Sequence, residues 1–582
     1  MINKNTLNWK VAGFAGEGIM TTGLLMSKTC AKHGWYIFDY TEYPSLIRGG
    51  HNTYQVHAGP EPIHAQKWKV DVLVALNKNG LAFHKEELTS ESMVIFDQED
   101  DNVDISIYNL AGKNFNVPMV KLAQKVGGSR VMANNVALGA SVFFLGLDLS
   151  ILNQVIAQVF SDKGQEVINL NQKAAQAGYD FVKSNGGQPV VNLTKKPGTN
   201  NRLTLTGNEA TGLGALAGGL SFYAAYPMTP SSSLLHYLAA KASKAGIVVK
   251  HAENENSAVN MAIGASFAGV KAMVGTAGGG FCYMTEGLGF ASVAELPLVV
   301  FEGMRPGPAL GMPTWTAQGD LAFVLSASQD EFPRIVLTPG DAEEAFLLVQ
   351  KALDLAEKYQ LLVIVVSDKY LAESRFTMPK PKTSYSHERM GIDTKPQADE
   401  SGFYPRYRTD QPVSQRTLPG TANGGYIANS YEHDKYGFAT EEGPERAAQM
   451  EKRMKKMELA TSGMPEQYYE ADAQPQVTLL SFGSTKNPIR AARELLHEEG
   501  IESAMLNFSW LWPFPKDQVT KVLNSGSKIL VVEGNYQGQL ARLITQETGI
   551  KVSDQLHRYD GRPFFAEDIV SYVKGTMLKK KL

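Results

Sequence analysis

The glycines of this chain gather in short loops that directly follow apolar runs, and a helical pattern follows each loop. Residues 9–13 form such a run, lead into Gly13-Phe14-Ala15-Gly16-Glu17-Gly18, and continue into a helix pattern at Ile19, Leu24, Leu25 and Met26. The same order recurs beyond residue 203, with apolar runs at 271–275, 298–301 and 361–366. A continuously apolar strand is one with both faces covered, the condition of a parallel sheet between layers of helix. The pattern predicts an α/β architecture, and the start of the chain reads as a doubly wound unit. Glycine makes up 54 of 582 residues, about 9% against a usual ~7%, and the surplus sits in these turns.

At ~150 residues per domain, 582 residues predict roughly three to four domains and exclude a single core. The first α/β domain is expected over residues 1–190. A linker at 191–202 lies within a Gly-, Asn-, Pro- and Lys-rich stretch without periodicity. A second α/β domain follows at 203–375, then a polar connecting region at 376–473 with one basic helix near 451–456 and no clear core of its own. A last α/β domain at 474–582 opens with the strand beginning at Val477. The fold class expected is three stacked α/β units.

Composition narrows function. Lys+Arg number 56 against 59 Asp+Glu, a formal charge of −3, so no global field attracts phosphate polymers or anionic lipid, and nucleic acid is not an expected partner. The two cysteines, Cys30 and Cys282, exclude a disulfide framework and any four-thiolate cluster built by this chain alone. A reducing, cytoplasmic setting fits. The near-apolar run 136–147 closes at Asp148, short of the ~18 residues of a membrane span, and Glu17 interrupts the N-terminal stretch before a secretory core develops.

Five loop segments carry the polar candidates. The Gly13–Gly18 loop can cradle a phosphate on backbone N–H groups, or serve only as a tight strand–helix turn; Asp39, ending the next strand, sits where a dinucleotide fold places its ribose-binding acid, though the spacing departs from G-x-G-x-x-G. Arg48, in Arg48-Gly49-Gly50-His51-Asn52, can reach an anion or remain a solvated loop arginine. In Tyr226-Pro227-Met228-Thr229-Pro230-Ser231-Ser232, Thr229 with Pro230 reads as an ordinary N-cap and first helical residue, which also turns a hydroxyl toward a strand-end crevice. His251-Ala252-Glu253-Asn254-Glu255-Asn256 opens a helix with two acids, one more than the helix dipole needs; an acid drawn into an apolar crevice can share a proton with a bound heterocycle. The long loop from Glu302 to Gln318 carries Arg305, suited to forked capture of a carboxylate, and Thr314, which adds a hydroxyl. The ATPase, zinc-protease, thiol-redox and hydrolase signatures G-x-x-x-x-G-K-[ST], H-E-x-x-H, C-x-x-C and G-x-S-x-G are all missing.

By order and spacing, residues 226–232, Glu255 and residues 305–318 resemble the α subunit of the 2-oxoacid:ferredoxin oxidoreductases. The Gly13–Gly18 loop and the Arg48–Asn52 run resemble the γ domain of the same family, fused ahead of α, and the fusion with Glu432-His433-Asp434 is most like the 2-oxoglutarate type. The resemblance implies a γ-type domain, a pyrimidine-binding domain and a transketolase C-terminal-like domain. It implies thiamine diphosphate shared with a β subunit, with Glu255 at the aminopyrimidine, Pro227 and Thr229 beside the cofactor, and Arg305, Thr229 and Thr314 toward the substrate. It further implies CoA as co-substrate; Mg2+ and [4Fe-4S] clusters on the β subunit and no metal here; ferredoxin as electron acceptor; and an (αβ)2 assembly. The loop N–H groups and the Arg48 charge make Gly16, Gly18 and Arg48 the expected CoA contacts, the rival reading being that the first domain only supports assembly. Ala15 and Glu17 stand where the γ loop is expected to have Gly and Gln, and Met228 where Ile is commoner. Two readings of other classes are a nicotinamide-dependent oxidoreductase, resting on the first loop and Asp39, and a non-catalytic scaffold. Pyruvate and branched-chain 2-oxoacids are the alternative substrates.

Overall fold

The computed structural model describes residues 6–46, 49–100, 103–191, 201–381 and 389–578. The chain divides into two compact units. One holds the described residues up to Leu205 with Ser374–Lys380 and Phe565–Asp568; the other holds Thr206–Glu373, the described part of Pro381–Phe564, and the described residues from Ile569 onward. Residues 192–200 of the expected linker lie outside the described residues.

The first unit is built on an eight-stranded sheet in the order Lys113–Asn116, Met93–Phe96, Val72–Ala75, Leu7–Ala15, Gly49–Gly59, Tyr36–Glu42, Arg375–Pro379, Arg202–Thr206. Leu7–Ala15 is parallel to Val72–Ala75 but antiparallel to Gly49–Gly59, which is also antiparallel to Tyr36–Glu42. The doubly wound expectation is corrected here. The connection from Glu42 to Gly49 is too short for the crossover a parallel neighbour needs, so the chain turns back as a hairpin and separates the first two strands. Most of the apolar run 136–147 lies in the helix Ala133–Phe144, buried nearly all round, and the run's last three residues follow its end. It meets the helix Gln165–Ser184 at very short range, because a Cβ on Gly139 would overlap the Ala175 carbonyl and one on Gly178 the Val136 carbonyl.

The second unit contains two sheets. The larger runs Trp510–Trp512, Arg334–Leu337, Leu362–Asp368, Leu298–Met304, Ala272–Ala277, Phe222–Ala225, Val248–His251, parallel except for the first strand. Every residue of Leu298–Met304 is buried: Leu298, Val300 and Met304 enter one apolar core and Val299 and Phe301 the other. The smaller sheet runs Tyr468–Ala471, Ser503–Phe508, Val477–Phe482, Lys528–Glu533, Asp554–His557. Its Leu480, Phe482, Leu506 and Phe508 belong to the same core as Val300 and Met304, so the two sheets of this unit share one apolar interior.

Residues 389–442 form no sheet of their own. The helix Gly443–Thr461 is fastened by charge instead: Lys452 and Lys456 each place Nζ 2.5 Å from a carboxylate oxygen of Glu295, and all three side chains are fully shielded from solvent. Burial pushes the Glu295 carboxyl up, but Lys456 and Lys452 outweigh it and hold it well below the usual carboxylate range. Arg406, also buried, donates to the Glu295 carbonyl and to Gln360. A region that packs through buried ion pairs shows no apolar periodicity, which is why its sequence offered no core.

Candidate active site

In the second unit, the strands Phe222–Ala225, Ala272–Ala277, Leu298–Met304 and Leu362–Asp368 run parallel, so their carboxyl ends and following loops collect at one edge. Glu255 is the first residue of the helix Glu255–Phe267, whose cap is supplied by Asn254, accepting from the Ser257 N–H at 2.8 Å. Relieved of capping, Glu255 is 5% exposed and its Oε1 has no hydrogen-bond partner. Opposite it stands Gly280, in the first turn of the helix Gly278–Val293. A Cβ there would lie 2.6 Å from Glu255 Oε1 and overlap Thr276 Oγ1, so the missing side chain makes room for the carboxylate. Glu253, which precedes the Asn254 cap, is exposed and accepts from Ser257 Oγ at 2.5 Å, a local bond across the helix start.

Arg305 directly follows the strand Leu298–Met304 and is 6% exposed; its Nη1 donates to the Thr229 carbonyl at 2.8 Å. Thr229 and Pro227 are half-buried, and Thr314 is buried. A Cβ on Gly303 would meet Pro230 Cγ at 2.9 Å, so that glycine lets the 226–231 segment seat against the strand end. The N-cap expectation for Thr229 is corrected: the helix runs Ser232–Ala245 and its N-cap is Ser231, whose hydroxyl donates back to the Met228 carbonyl at 2.7 Å. The Pro230 carbonyl is already held by Asn208 Nδ2 at 2.8 Å, so the turn completes before the helix begins.

Sequence reading missed a second acid at this edge. Glu302 is wholly buried on Leu298–Met304, with neither carboxylate oxygen hydrogen-bonded. Burial pushes its carboxyl well above the ordinary range, and Asp320 and Asp368 push it further. Asp320 itself is raised to about 6 by burial, against the opposing charge of Arg305. The available signal was an acid embedded in an apolar strand.

The first-unit loop shows Gly16 at φ 98° and Gly18 at φ 76°, the left-handed region that favours glycine. Glu17 turns inward and accepts from the Phe14 N–H at 2.6 Å and Asn77 Nδ2 at 3.0 Å, placing a carboxylate of the chain's own on the loop. A cavity of about 160 Å³ opens beside it, lined by Gly16, Glu17, Asp97, Asp100, Arg130 and Asn134 among others. Arg48 lies outside the described residues. Asp39 is fully buried and accepts from Ser27 Oγ, Tyr54 Oη and the Arg375 N–H at 2.6–2.8 Å, so it is a sheet-internal anchor and cannot take a ribose. The nicotinamide alternative loses its acid.

The profile described as "Pyruvate flavodoxin/ferredoxin oxidoreductase, thiamine diP-bdg" matches residues 213–453, which contain Pro227, Thr229, Glu255, Arg305 and Thr314. The profiles "Pyruvate ferredoxin/flavodoxin oxidoreductase" and "Pyruvate:ferredoxin oxidoreductase core domain II" match 8–181 and 476–569. A 2-oxoacid:ferredoxin oxidoreductase subunit alpha of a Sulfolobus species is 32% identical over 97% of this chain and 96% of its own length. This chain belongs to the 2-oxoacid:ferredoxin oxidoreductase α subunits. Among other members, the 2-oxoglutarate synthase subunit KorA of Methanothermobacter thermautotrophicus is 27% identical over 63% of this chain and 97% of its own. The 2-oxoglutarate:ferredoxin oxidoreductase from Magnetococcus marinus, solved with 2-oxoglutarate, coenzyme A and succinyl-CoA bound, superposes with a TM-score of 0.91 at 31% identity over 98% of this chain and 100% of that one. The family resemblance and the α/β fold class read from the sequence are confirmed. As an oxidoreductase α subunit, the chain works within a multi-subunit enzyme. Among its described residues no helix is long and apolar enough to cross a membrane.

Proposed function

We propose that this chain is the γ–α fused subunit of a thiamine diphosphate-dependent enzyme that converts 2-oxoglutarate, CoA and oxidised ferredoxin into succinyl-CoA, CO2 and reduced ferredoxin. The observation that carries the reading is Glu255: a buried carboxylate with an unpartnered oxygen, facing a glycine whose side chain would fill the space. Those residues fit an aminopyrimidine. Thiamine diphosphate, when bound, supplies a nucleophilic carbon that accepts the 2-oxo carbon and delocalises the electron pair left by decarboxylation. Glu255 then holds and exchanges a proton at the ring nitrogen, work for which its Oε1 is uncommitted. Pro227 and Thr229 border the same edge. Arg305 forks onto the substrate carboxylate with Thr314 beside it, in a crevice where burial strengthens the ion pair.

The β subunit is proposed to bring Mg2+ for the diphosphate and [4Fe-4S] clusters for the electrons, in an (αβ)2 assembly in the cytoplasm with ferredoxin as acceptor. The two cysteines, Cys30 buried and Cys282 exposed, support that division. For CoA, Gly16, Gly18 and Arg48 remain the proposed contacts; because Glu17 already occupies the loop, CoA is expected at the neighbouring cavity rather than with a phosphate on the Phe14 N–H. Support for 2-oxoglutarate comes from the named substrates of the Magnetococcus enzyme and KorA. A kinetic comparison on the complex reconstituted with its β subunit tests it: kcat/KM should favour 2-oxoglutarate over pyruvate and branched-chain 2-oxoacids. A preference for pyruvate would overturn the substrate assignment.

A further inference from the structure

The last α/β domain contributes no residue to the site as described so far, yet it grips the loop that does. Arg305 and Thr314 flank a stretch, 307–312, that is exposed throughout. One end of this loop is held by the strand Leu298–Met304. The other end is Gln318, 2% exposed, whose four polar atoms are all bonded to the last domain. Its main-chain N–H donates to the Gly534 carbonyl at 2.7 Å, and its carbonyl accepts from Asn535 Nδ2 at 3.1 Å. Its Nε2 donates to the Phe482 carbonyl at 2.8 Å, and its Oε1 accepts from the Gly534 N–H at 2.8 Å and Thr485 Oγ1 at 2.9 Å.

The gripping turn is itself knitted. Glu533 accepts from Asn535 Nδ2 at 2.6 Å and from the N–H groups of Leu540 and Ala541, while Asn535 Oδ1 accepts from the Gly538 and Gln539 N–H groups. Gln539 continues the hold, donating to the Gly319 carbonyl at 2.7 Å and accepting from the Ala322 N–H at 2.9 Å. Thr316 adds three bonds: its N–H donates to the Gly561 carbonyl, and its hydroxyl donates to Asp368 and accepts from the Tyr370 N–H. Gly534 has no side chain where one would press on Gln318 at 3.3–3.4 Å. A glutamine suits this socket: its amide meets an acceptor at one end and two donors at the other, an arrangement a carboxylate cannot satisfy.

We propose that Gln318 is a positioning residue for the 2-oxoacid, through which the turn 533–539 of the last α/β domain sets the loop that carries Arg305 and Thr314. The inference rests on the reading of Arg305 as the partner of the substrate carboxylate. Misplacing a binding group by about 1 Å can cost ~10²-fold, so loosening the far end of this loop bears on substrate capture before it bears on folding.

The test uses the complex reconstituted with its β subunit and 2-oxoglutarate. Gln318→Glu keeps the shape and loses the bond to Phe482; Gln539→Ala is the milder variant, kept in case the first misfolds. Gln318→Glu should raise KM for the 2-oxoacid about tenfold and Gln539→Ala about threefold, with kcat, KM for CoA and retention of thiamine diphosphate within about twofold of wild type. In a double-mutant cycle with Arg305→Lys the effects on KM should combine to clearly less than their product, because one acts through the other. If Arg305→Lys raises KM while both glutamine variants leave it unchanged, lower every parameter together, or multiply with it, the positioning role is wrong. If Arg305→Lys itself leaves KM unchanged, the failure lies with the carboxylate assignment and the inference falls with it.

Discussion

The Arg305 guanidinium donates to the Thr229 carbonyl at 2.8 Å, joining two segments 76 residues apart in sequence. The strands that deliver them are not neighbours: Ala272–Ala277 lies between Phe222–Ala225 and Leu298–Met304. The 226–231 segment comes over to the end of Leu298–Met304, where Gly303 has no side chain to hold Pro230 off, and there the Thr229 carbonyl meets Arg305. The bond to Thr229 engages Nη1 and orients the guanidinium. Lysine keeps the charge but cannot bond Thr229 and a carboxylate fork together. Arg305→Lys is expected to raise KM for the 2-oxoacid by about tenfold or more, with a smaller change in kcat, in steady-state assays of the complex.

The two acids at the start of the helix Glu255–Phe267, Glu253 before its cap and Glu255 as its first residue, differ in burial, and their substitutions should separate. Glu255→Gln is expected to slow turnover by ~10²-fold or more, the scale of a positioned proton-sharing group, whereas Glu253→Ala should change it less than about twofold. Single-turnover measurements giving equal small effects would remove Glu255 from the chemistry.

Gly280→Ala probes the same point from the other side. Its Cβ would stand 2.6 Å from Glu255 Oε1, so either the carboxylate or the helix start must move. Overpacking of this kind costs about 1–3 kcal/mol, and here it displaces the acid. Titration of the complex with thiamine diphosphate should show affinity weakened by about tenfold or more while the fold persists by circular dichroism.

Asp320 gives substrate capture a pH dependence. Its carboxyl is pushed up to about 6 by burial, with Arg305 opposing. Above that pH the ionised Asp320 competes with the substrate carboxylate for Arg305; below it the acid is neutral and the competition ends. KM for the 2-oxoacid should therefore fall by about three- to tenfold as pH drops through 6, and Asp320→Asn should show the low KM on both sides. A KM–pH profile unchanged by the substitution would refute this.

Glu432 sits between Arg446 and Arg453, with contacts of 2.6 Å to each. Burial raises its carboxyl, but the two guanidiniums outweigh it and bring it from an ordinary 4.5 down to about 2. A depressed carboxylate stabilises the fold fully above its unfolded value and loses that contribution as pH falls toward its folded one. Glu432→Gln should cost about 1–3 kcal/mol above pH ~5, after allowance for solvent screening at Arg446, a cost that shrinks as pH falls through about 2. Denaturant midpoints measured across that window decide it.

Much of the site was legible in the chain. The pair Glu253 and Glu255 stood out because a helix dipole needs only one acid, the family resemblance picked Glu255 from the pair, and Arg305 stood out because a long Gly/Pro loop follows a buried strand; local rules govern caps, turns and strand patterning. What sequence could not supply is contact over distance. An acid in an apolar strand marks Glu302 as unusual, but that both its oxygens lie buried without hydrogen-bond partners depends on which strands flank it. Asp39 looked like a ribose acid until the hairpin Tyr36–Glu42/Gly49–Gly59 and the strand Arg375–Pro379 enclosed it, and the N-cap expected at Thr229 moved to Ser231 because Asn208 holds the Pro230 carbonyl. Gln318 ended a motif in one dimension and became the anchor of its loop only through bonds to residues 164–217 positions away. Periodicity and turn chemistry encode which elements form, because their energies are set within a few residues. Which polar groups are desolvated, and by whom they are satisfied, is decided when the sheets pack.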